Sequence, residues 1–179
     1  MLKKSWLHFK LITKHKWIVF KLCCKVGLPW RGLIHDLSKY SITEFWESAK
    51  FYVGYKSPIQ VAREKRLYSA AWLHHKGRNK HHYEYWLDYG FPPDRRITGM
   101  KMPKKYVVEM FMDRIAACKV YMKESGYHDA APWEYYDKSK SILLMHDETR
   151  ALLEEMLMML AEKGEKETFA YVKKEILRK

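Results

Sequence analysis

Residues 4–26 read KSWLHFKLITKHKWIVFKLCCKV and run into Gly27-Leu28-Pro29. Within them Leu7, Leu11, His15, Ile18 and Leu22 recur at steps of four and three, the period of one face of a helix. The Gly-then-Pro end is a stop signal. This stretch predicts an amphipathic first helix, and it places an ionisable side chain, His15, on the stripe meant for the core.

The same period governs the chain on either side of its turns, while strand alternation is scarce. A short helix after Pro29 should carry residues 33–37. Ser41-Ile42-Thr43-Glu44 has the form of a capping box and starts a helix over about 42–53. After a loop at 54–57, Pro58 suits the first turn of a helix that continues through Ala70-Ala71-Trp72 to about His75. Gly77-Arg78-Asn79-Lys80 breaks it, and 81–89 adds one or two helical turns. Residues 90–103, rich in Pro, Gly and Arg, read as a surface loop. A strong helix over 104–124 follows, with the stripe Tyr106, Met110, Asp113, Ala117 and Val120. Residues 126–133 form a connection, and two last helices, 138–162 and 166–178, are separated by Gly164. Nothing marks a domain boundary and no internal repeat stands out. The expectation is a single all-α domain over 1–179, in which 138–178 adds C-terminal packing helices. The Leu- and Met-rich residues 152–160 suit either core or a homo-oligomer interface.

The bulk numbers narrow the class. The chain has 179 residues, enough for one domain with a sizeable core, and its balance of 47% hydrophobic and 31% charged residues is that of a globular protein. Three cysteines, two of them adjacent (Cys23, Cys24) and none in a C-x-x-C spacing, argue against a disulfide framework and for a reducing cytoplasm. Lys10, Lys14, His15 and Lys16 interrupt the apolar residues of 1–20, so this segment reads as neither a secretory signal nor a membrane span. The formal charge of +13 points to anionic partners such as nucleotides, nucleic acid or a membrane surface.

The chemistry concentrates in a few residues. His35-Asp36 lies in the short apolar segment 33–39, where either residue without a partner costs several kcal/mol to bury. Asp113 poses the same problem inside the apolar stripe of its helix, and so does His15. A divalent cation offers all of them a partner at once, and imidazole with carboxylate suits Mn, Fe, Zn, Co or Ni. The histidine-rich stretch 74–82 adds His74, His75, His81 and His82.

On these residues the chain resembles the HD superfamily of helical metalloenzymes: a His on one helix (His15), a His-Asp pair on the next (His35-Asp36) and an Asp on a later one (Asp113). The match covers about residues 11–121. More narrowly, the whole chain is similar to an uncharacterised bacterial and phage family of unknown function, through His35-Asp36-Leu37-Ser38-Lys39-Tyr40, Glu44-Phe45, residues 74–82 and Asp113-Arg114. Such chains are sometimes labelled catalase, but beyond the abundance of His and Tyr nothing here supports haem.

The superfamily resemblance implies one or two metal ions. His15, His35, Asp36 and Asp113 would hold the first. Asp36 would bridge to a second, joined by His74 and one of His81 or His82. His75 is the alternative to His74, because Leu67-Ala71-His74 and Tyr68-Ala71-His75 are equally good stripes. The two histidine groups lie closer together than is usual in two-metal members of the superfamily. Catalysis would rest on Asp36 and on Lys39, which matches a lysine that faces phosphate in the family's His-Asp-x-x-Lys version. Lys39, Arg78 and Lys80 would bind phosphate oxygens and Asn79 would orient the substrate. Glu44 and Glu84 would accept hydrogen bonds from ligand histidines. Arg114 is expected to face elsewhere as an ion-pair partner.

The leading expectation is a metal-dependent phosphohydrolase acting on a nucleotide or another small phosphate ester. A di-iron oxygenase of the HD type would use nearly the same ligands. A third possibility is a non-enzymatic basic helical module that binds nucleic acid, although no helix-turn-helix or zinc-finger spacing accompanies it.

Overall fold

In a computed structural model, which describes residues 2–93, 96–122 and 126–178, helices dominate. They are α1 (Leu2–Lys25), α2 (Pro29–Ile34), α3 (Ile42–Lys50), α4 (Pro58–Arg66), α5 (Ala70–Lys76), α6 (Lys104–Tyr121), α7 (Ala131–Asp137) and α8 (Asp147–Tyr171). Two short strands, β1 (Leu87–Tyr89) and β2 (Ile97–Gly99), pair antiparallel with Asp88 opposite Thr98. The chain is a single all-α domain apart from this ribbon. Among the described residues no helix is long and apolar enough to cross a membrane.

The core lies between α1, α6 and α8. Val19, Leu22 and Cys23 meet Val107, Val108, Phe111, Met112 and Ile115, which meet Leu153, Met156, Leu157 and Leu160. The Leu/Met face of the last long helix is therefore core. In α1 the buried side is Ser5, His8, Ile12, His15, Val19 and Leu22, turned from the expected stripe so that Leu7 is exposed and Leu11 and Ile18 are half-buried. His15 is common to both, because α6 and the end of α2 cover that side.

Turn chemistry sets the ends. Gly27 terminates α1 with φ 85°, and Pro29 and Pro58 open α2 and α4. α2 crosses α1 at Gly32, where a Cβ would lie 2.8 Å from both the Phe20 Cα and the Cys23 Cβ. Gly32→Ala should therefore push α2 off α1 and cost about 1–3 kcal/mol, read as a lower denaturant midpoint.

Several expected elements differ. The helix from Pro58 is two helices, because Leu67 adopts a left-handed conformation (φ 66°) and Ser69 caps α5 by accepting from Trp72 N. Residues 83–86 form a 3₁₀ turn, and 87–89 and 97–99 pair as strands where helical turns and a loop were expected. α6 ends at Tyr121, and part of the expected run to 124 lies outside the described residues. The last helix begins at Asp147 rather than 138. Before it the chain is held by Arg150, which donates to the carbonyls of Lys140 and Leu143 at 2.8 and 2.5 Å. At Gly164, with φ 76° and ψ 174°, the helical backbone is broken, so the span named α8 is two helices meeting at a kink, as expected.

Candidate metal centre

α2 stops at Ile34, one turn earlier than expected, and that early stop builds the site. His35 is extended (φ −51°, ψ 129°) and Asp36 is left-handed (φ 54°, ψ 25°), a conformation that Asp tolerates better than most residues. On a continuous helix, adjacent side chains diverge by about 100°. Here the reversal brings His35 and Asp36 onto one centre. Lys16 on α1 holds this turn by donating to the carbonyl oxygens of Leu33 and His35, at 2.5 and 2.8 Å.

Asp36 is buried, and its two carboxylate oxygens face different groups. Oδ2 lies 3.2 Å from His35 Nε2 and 3.9 Å from His15 Nε2; His15 Nε2 is in turn 2.8 Å from Asp113 Oδ1. Oδ1 lies 3.1 Å from His75 Nε2 and 3.4 Å from His81 Nε2, with His82 Nε2 2.9 Å from His75 Nε2. Each set of four, His15-His35-Asp36-Asp113 and Asp36-His75-His81-His82, places its ligand atoms within 4.8 Å of one another. These clusters could hold a metal ion.

Their hydrogen bonding fits that use. His35 Nε2, His81 Nε2 and Asp36 Oδ1 are buried without a hydrogen-bond partner among the described residues, and Asp36 Oδ2 meets the Lys39 ammonium as an ion pair. They approach one another, but not with hydrogen-bond geometry, as atoms aimed at a common centre do. The opposite ring nitrogens are occupied. The Nδ1 atoms of His35 and His81 lie 3.1 and 3.3 Å from Glu109 Oε1, and His75 Nδ1 lies 2.8 Å from Glu44 Oε2. Carboxylates that accept from Nδ1 turn each Nε2 toward the common centre.

Electrostatics supports the same assignment. Burial opposes charge on Asp36, yet His35, Lys39 and His75 hold its carboxyl well below the usual range. Asp113 is likewise held well below despite burial, chiefly by His15 and His35. Burial and the neighbouring His81 and His75 push His82 well down, so its imidazole stays neutral and able to ligate. His35 goes the other way: burial disfavours its charge, but Asp36, Asp113 and Glu109 raise it well above an ordinary histidine.

His75 and not His74 faces Asp36. His74 is half-buried and turned to Glu44 Oε1 at 2.6 Å, which corrects the preference between the two stripes. An ion held by the Asp36-His75-His81-His82 group should be lost in His75→Ala and kept in His74→Ala, by elemental analysis of the purified protein. His81 and His82 both belong to the second group. Glu44 bonds both His74 and His75, whereas Glu84 is half-buried beside Tyr83 and bonds no ligand histidine among the described residues.

A cavity of about 520 Å³ opens on both groups, reaching His15 and Asp113 on one side and His75 and His82 on the other. Lys39 lines it, with its ammonium on Asp36 Oδ2. Arg78, Asn79 and Lys80 do not line it. Arg78 and Lys80 are exposed, and Asn79 Nδ2 donates to Ser38 Oγ and the His75 carbonyl, both at 2.8 Å, bracing the ligand turn instead. Arg114, expected to face elsewhere, lines the cavity with its Nε buried and without a hydrogen-bond partner, its guanidinium 5.3 Å from the Tyr136 ring. Sequence reading also missed Glu109. The signal was present, since Glu109 is a lone carboxylate in an apolar run one turn before Asp113.

His8 also borders the cavity, packed on the rings of Phe45 and Tyr52. Burial, reinforced by Lys39, lowers its pKa to about 4. The unfolded chain then binds this proton first as pH falls from 6.5. The stability contributed by neutral His8 is complete above 6.5 and is lost as pH falls through about 4. His8→Phe should flatten that acid limb by on the order of 2 kcal/mol, measured by denaturation of the metal-free protein across this window.

A family model described as a family of unknown function (DUF5662) matches residues 4–159, a span that includes every residue of both clusters. No curated protein and no solved structure matches the chain.

Proposed function

We propose, for a chain that belongs to the DUF5662 family of unknown function, a two-metal hydrolase acting on a nucleotide or another small phosphate ester. The observation that carries this reading is the division of the Asp36 carboxylate, with Oδ1 on the His75-His81-His82 group and Oδ2 on the His15-His35-Asp113 group. The HD resemblance, with His15, His35-Asp36 and Asp113 as its motif, is consistent with that arrangement.

Two divalent ions in such a pair of sites neutralise phosphoryl charge and supply a water of lowered pKa. The protein's own contribution is positioning. Asp36 would bridge the ions. Glu44 and Glu109 orient the ligand rings. Lys39, whose ammonium charge is favoured by Asp36 and Asp113 against the cost of burial, stands between the first group and the cavity, where it would hold a phosphate oxygen. Arg114, which also lines the cavity, offers a second cationic group. The net charge of +13 favours an anionic substrate.

Elemental analysis of protein purified without chelator should find about two equivalents of transition metal. Manganese- or cobalt-dependent phosphate release from a panel of nucleotides and phosphate monoesters should then be lost in Asp36→Asn. Less than about half an equivalent of metal would sink the reading. Iron-dependent oxygen consumption without phosphate release would point to the oxygenase. Salt-sensitive nucleic-acid binding indifferent to Asp36→Asn would point to a binding module.

A further inference from the structure

The outward face of α1 carries a repeat that linear inspection passed over. Trp6-Leu7-His8-Phe9-Lys10 recurs as Trp17-Ile18-Val19-Phe20-Lys21, eleven residues on. Eleven residues are three helical turns plus about 20°, a separation of about 16 Å, so corresponding residues of the two copies share a side of the helix. His8 and Val19 point into the core, but the side that carries the Trp and Lys of each copy is not the core side. Trp6 and Trp17 are each 56% exposed although the helix buries a full stripe elsewhere. Leu2, Phe9 and Thr13 are exposed on the same side, and Lys3, Lys10, Lys14 and Lys21 run along its edge, all exposed. α2, seated on Phe20 and Cys23, adds exposed Trp30 (67%) and Leu33.

The two copies have the same internal geometry. Trp6 and Phe9 stack at 5.7 Å and 12°, Trp17 and Phe20 at 5.4 Å and 24°. Lys10 sits over the Trp6 ring at 5.1 Å and Lys21 over the Trp17 ring at 5.3 Å. Each indole thus meets a phenyl ring and an ammonium, which leaves its faces poorly available to a nucleobase. A single-stranded nucleic-acid platform needs open ring faces and a basic groove. This surface is a convex helix flank.

We propose that this face of α1 binds the surface of an anionic lipid bilayer. The helix would lie in the plane of the interface, with Trp6, Phe9 and Trp17 among the headgroups and the flanking lysines on lipid phosphates and carboxylates. Exposed Trp/Phe/Leu beside Lys is the composition of interfacial helices, and lysines near an anionic surface contribute about 1 kcal/mol each. The inference does not depend on the metal chemistry, because the core-facing side of α1 carries His15.

The test is co-sedimentation of the whole chain with phosphatidylcholine vesicles, with and without phosphatidylserine. Binding should require phosphatidylserine, weaken with salt and shift indole emission to the blue. It should fall about tenfold or more in W6A/W17A and by at least as much in K10E/K21E. Unchanged circular dichroism and metal content would show that the variants, altered only at exposed positions, still fold. Failure of the parent chain to bind phosphatidylserine vesicles at low salt would overturn the proposal, as would full binding by both variants. A single-stranded oligonucleotide that displaces the vesicles, or a solution dimer dissociated by W6A/W17A, would equally overturn it by assigning the face to another partner.

Discussion

Asp36→Asn is expected to remove metal from both groups at once, lowering metal content at least tenfold and phosphate release about a thousandfold or more. The substitution keeps the side-chain shape, and Asn tolerates the left-handed backbone at this position, where Ala would be strained. What changes is charge and valence. One ligand oxygen becomes an amide NH₂ whose hydrogens meet either His75 and His81 or His35 and His15, and the other oxygen loses its anionic character. The neighbouring Lys39 also loses its counter-charge. Helicity should be retained, since Asp36 closes a turn and lies outside the apolar core between α1, α6 and α8. Retention of one full equivalent of metal would show that the carboxylate is not shared, and the two-metal assignment would fail.

Glu109→Gln should lower metal affinity at both groups by about 10–100-fold while leaving every proposed ligand in place. Glu109 is fully buried on α6, and its Oε1 faces the Nδ1 atoms of one histidine from each group, His35 and His81. Its Oε2 accepts from Arg31, at 2.7 Å from Nε and 2.6 Å from Nη2. Burial opposes its ionisation, but His35 and His81 draw its pKa down to about 2, so the carboxylate is charged throughout the working range. A glutamine offers one acceptor where two histidines and an arginine converge, and it leaves a partly buried guanidinium without its counter-charge. The metal-free protein should lose about 3 kcal/mol as well. Metal titration and denaturant unfolding separate the two consequences. Stability lost with both metal affinities unchanged would make Glu109 a core ion pair and nothing more.

The residues of the site were legible to different degrees. His15 and Asp113 could be found because an ionisable group on an apolar helical stripe is anomalous whatever surrounds it. His35-Asp36 could be found because the pair sits in a short apolar segment. His74 and His75 could not be separated, because both continue good stripes and only the packing of α5 beside Glu44 decides which ring turns to Asp36. Arg78 and Lys80 looked like phosphate ligands, and Asn79 like a group that orients the substrate, by proximity in sequence, yet none of the three lines the cavity. Lys16 was invisible, since its role is to satisfy two carbonyls of a turn seventeen residues or more away.

The helical class, the main helices and the inward placing of His15 and Asp113 follow from sequence alone, because period 3.6, Gly and Pro stops and capping residues act within a few residues of chain. Three things belonged to the tertiary structure. One is the left-handed turn at Asp36, braced from α1, that aims two adjacent side chains at one centre. Another is the sharing of Asp36 and Glu109 between histidines from distant segments. The third is which side of α1 faces outward, where two apolar stripes competed and the packing of α2, α3 and α6 chose one. Each depends on contacts between residues far apart in the chain, whose geometry no local pattern encodes.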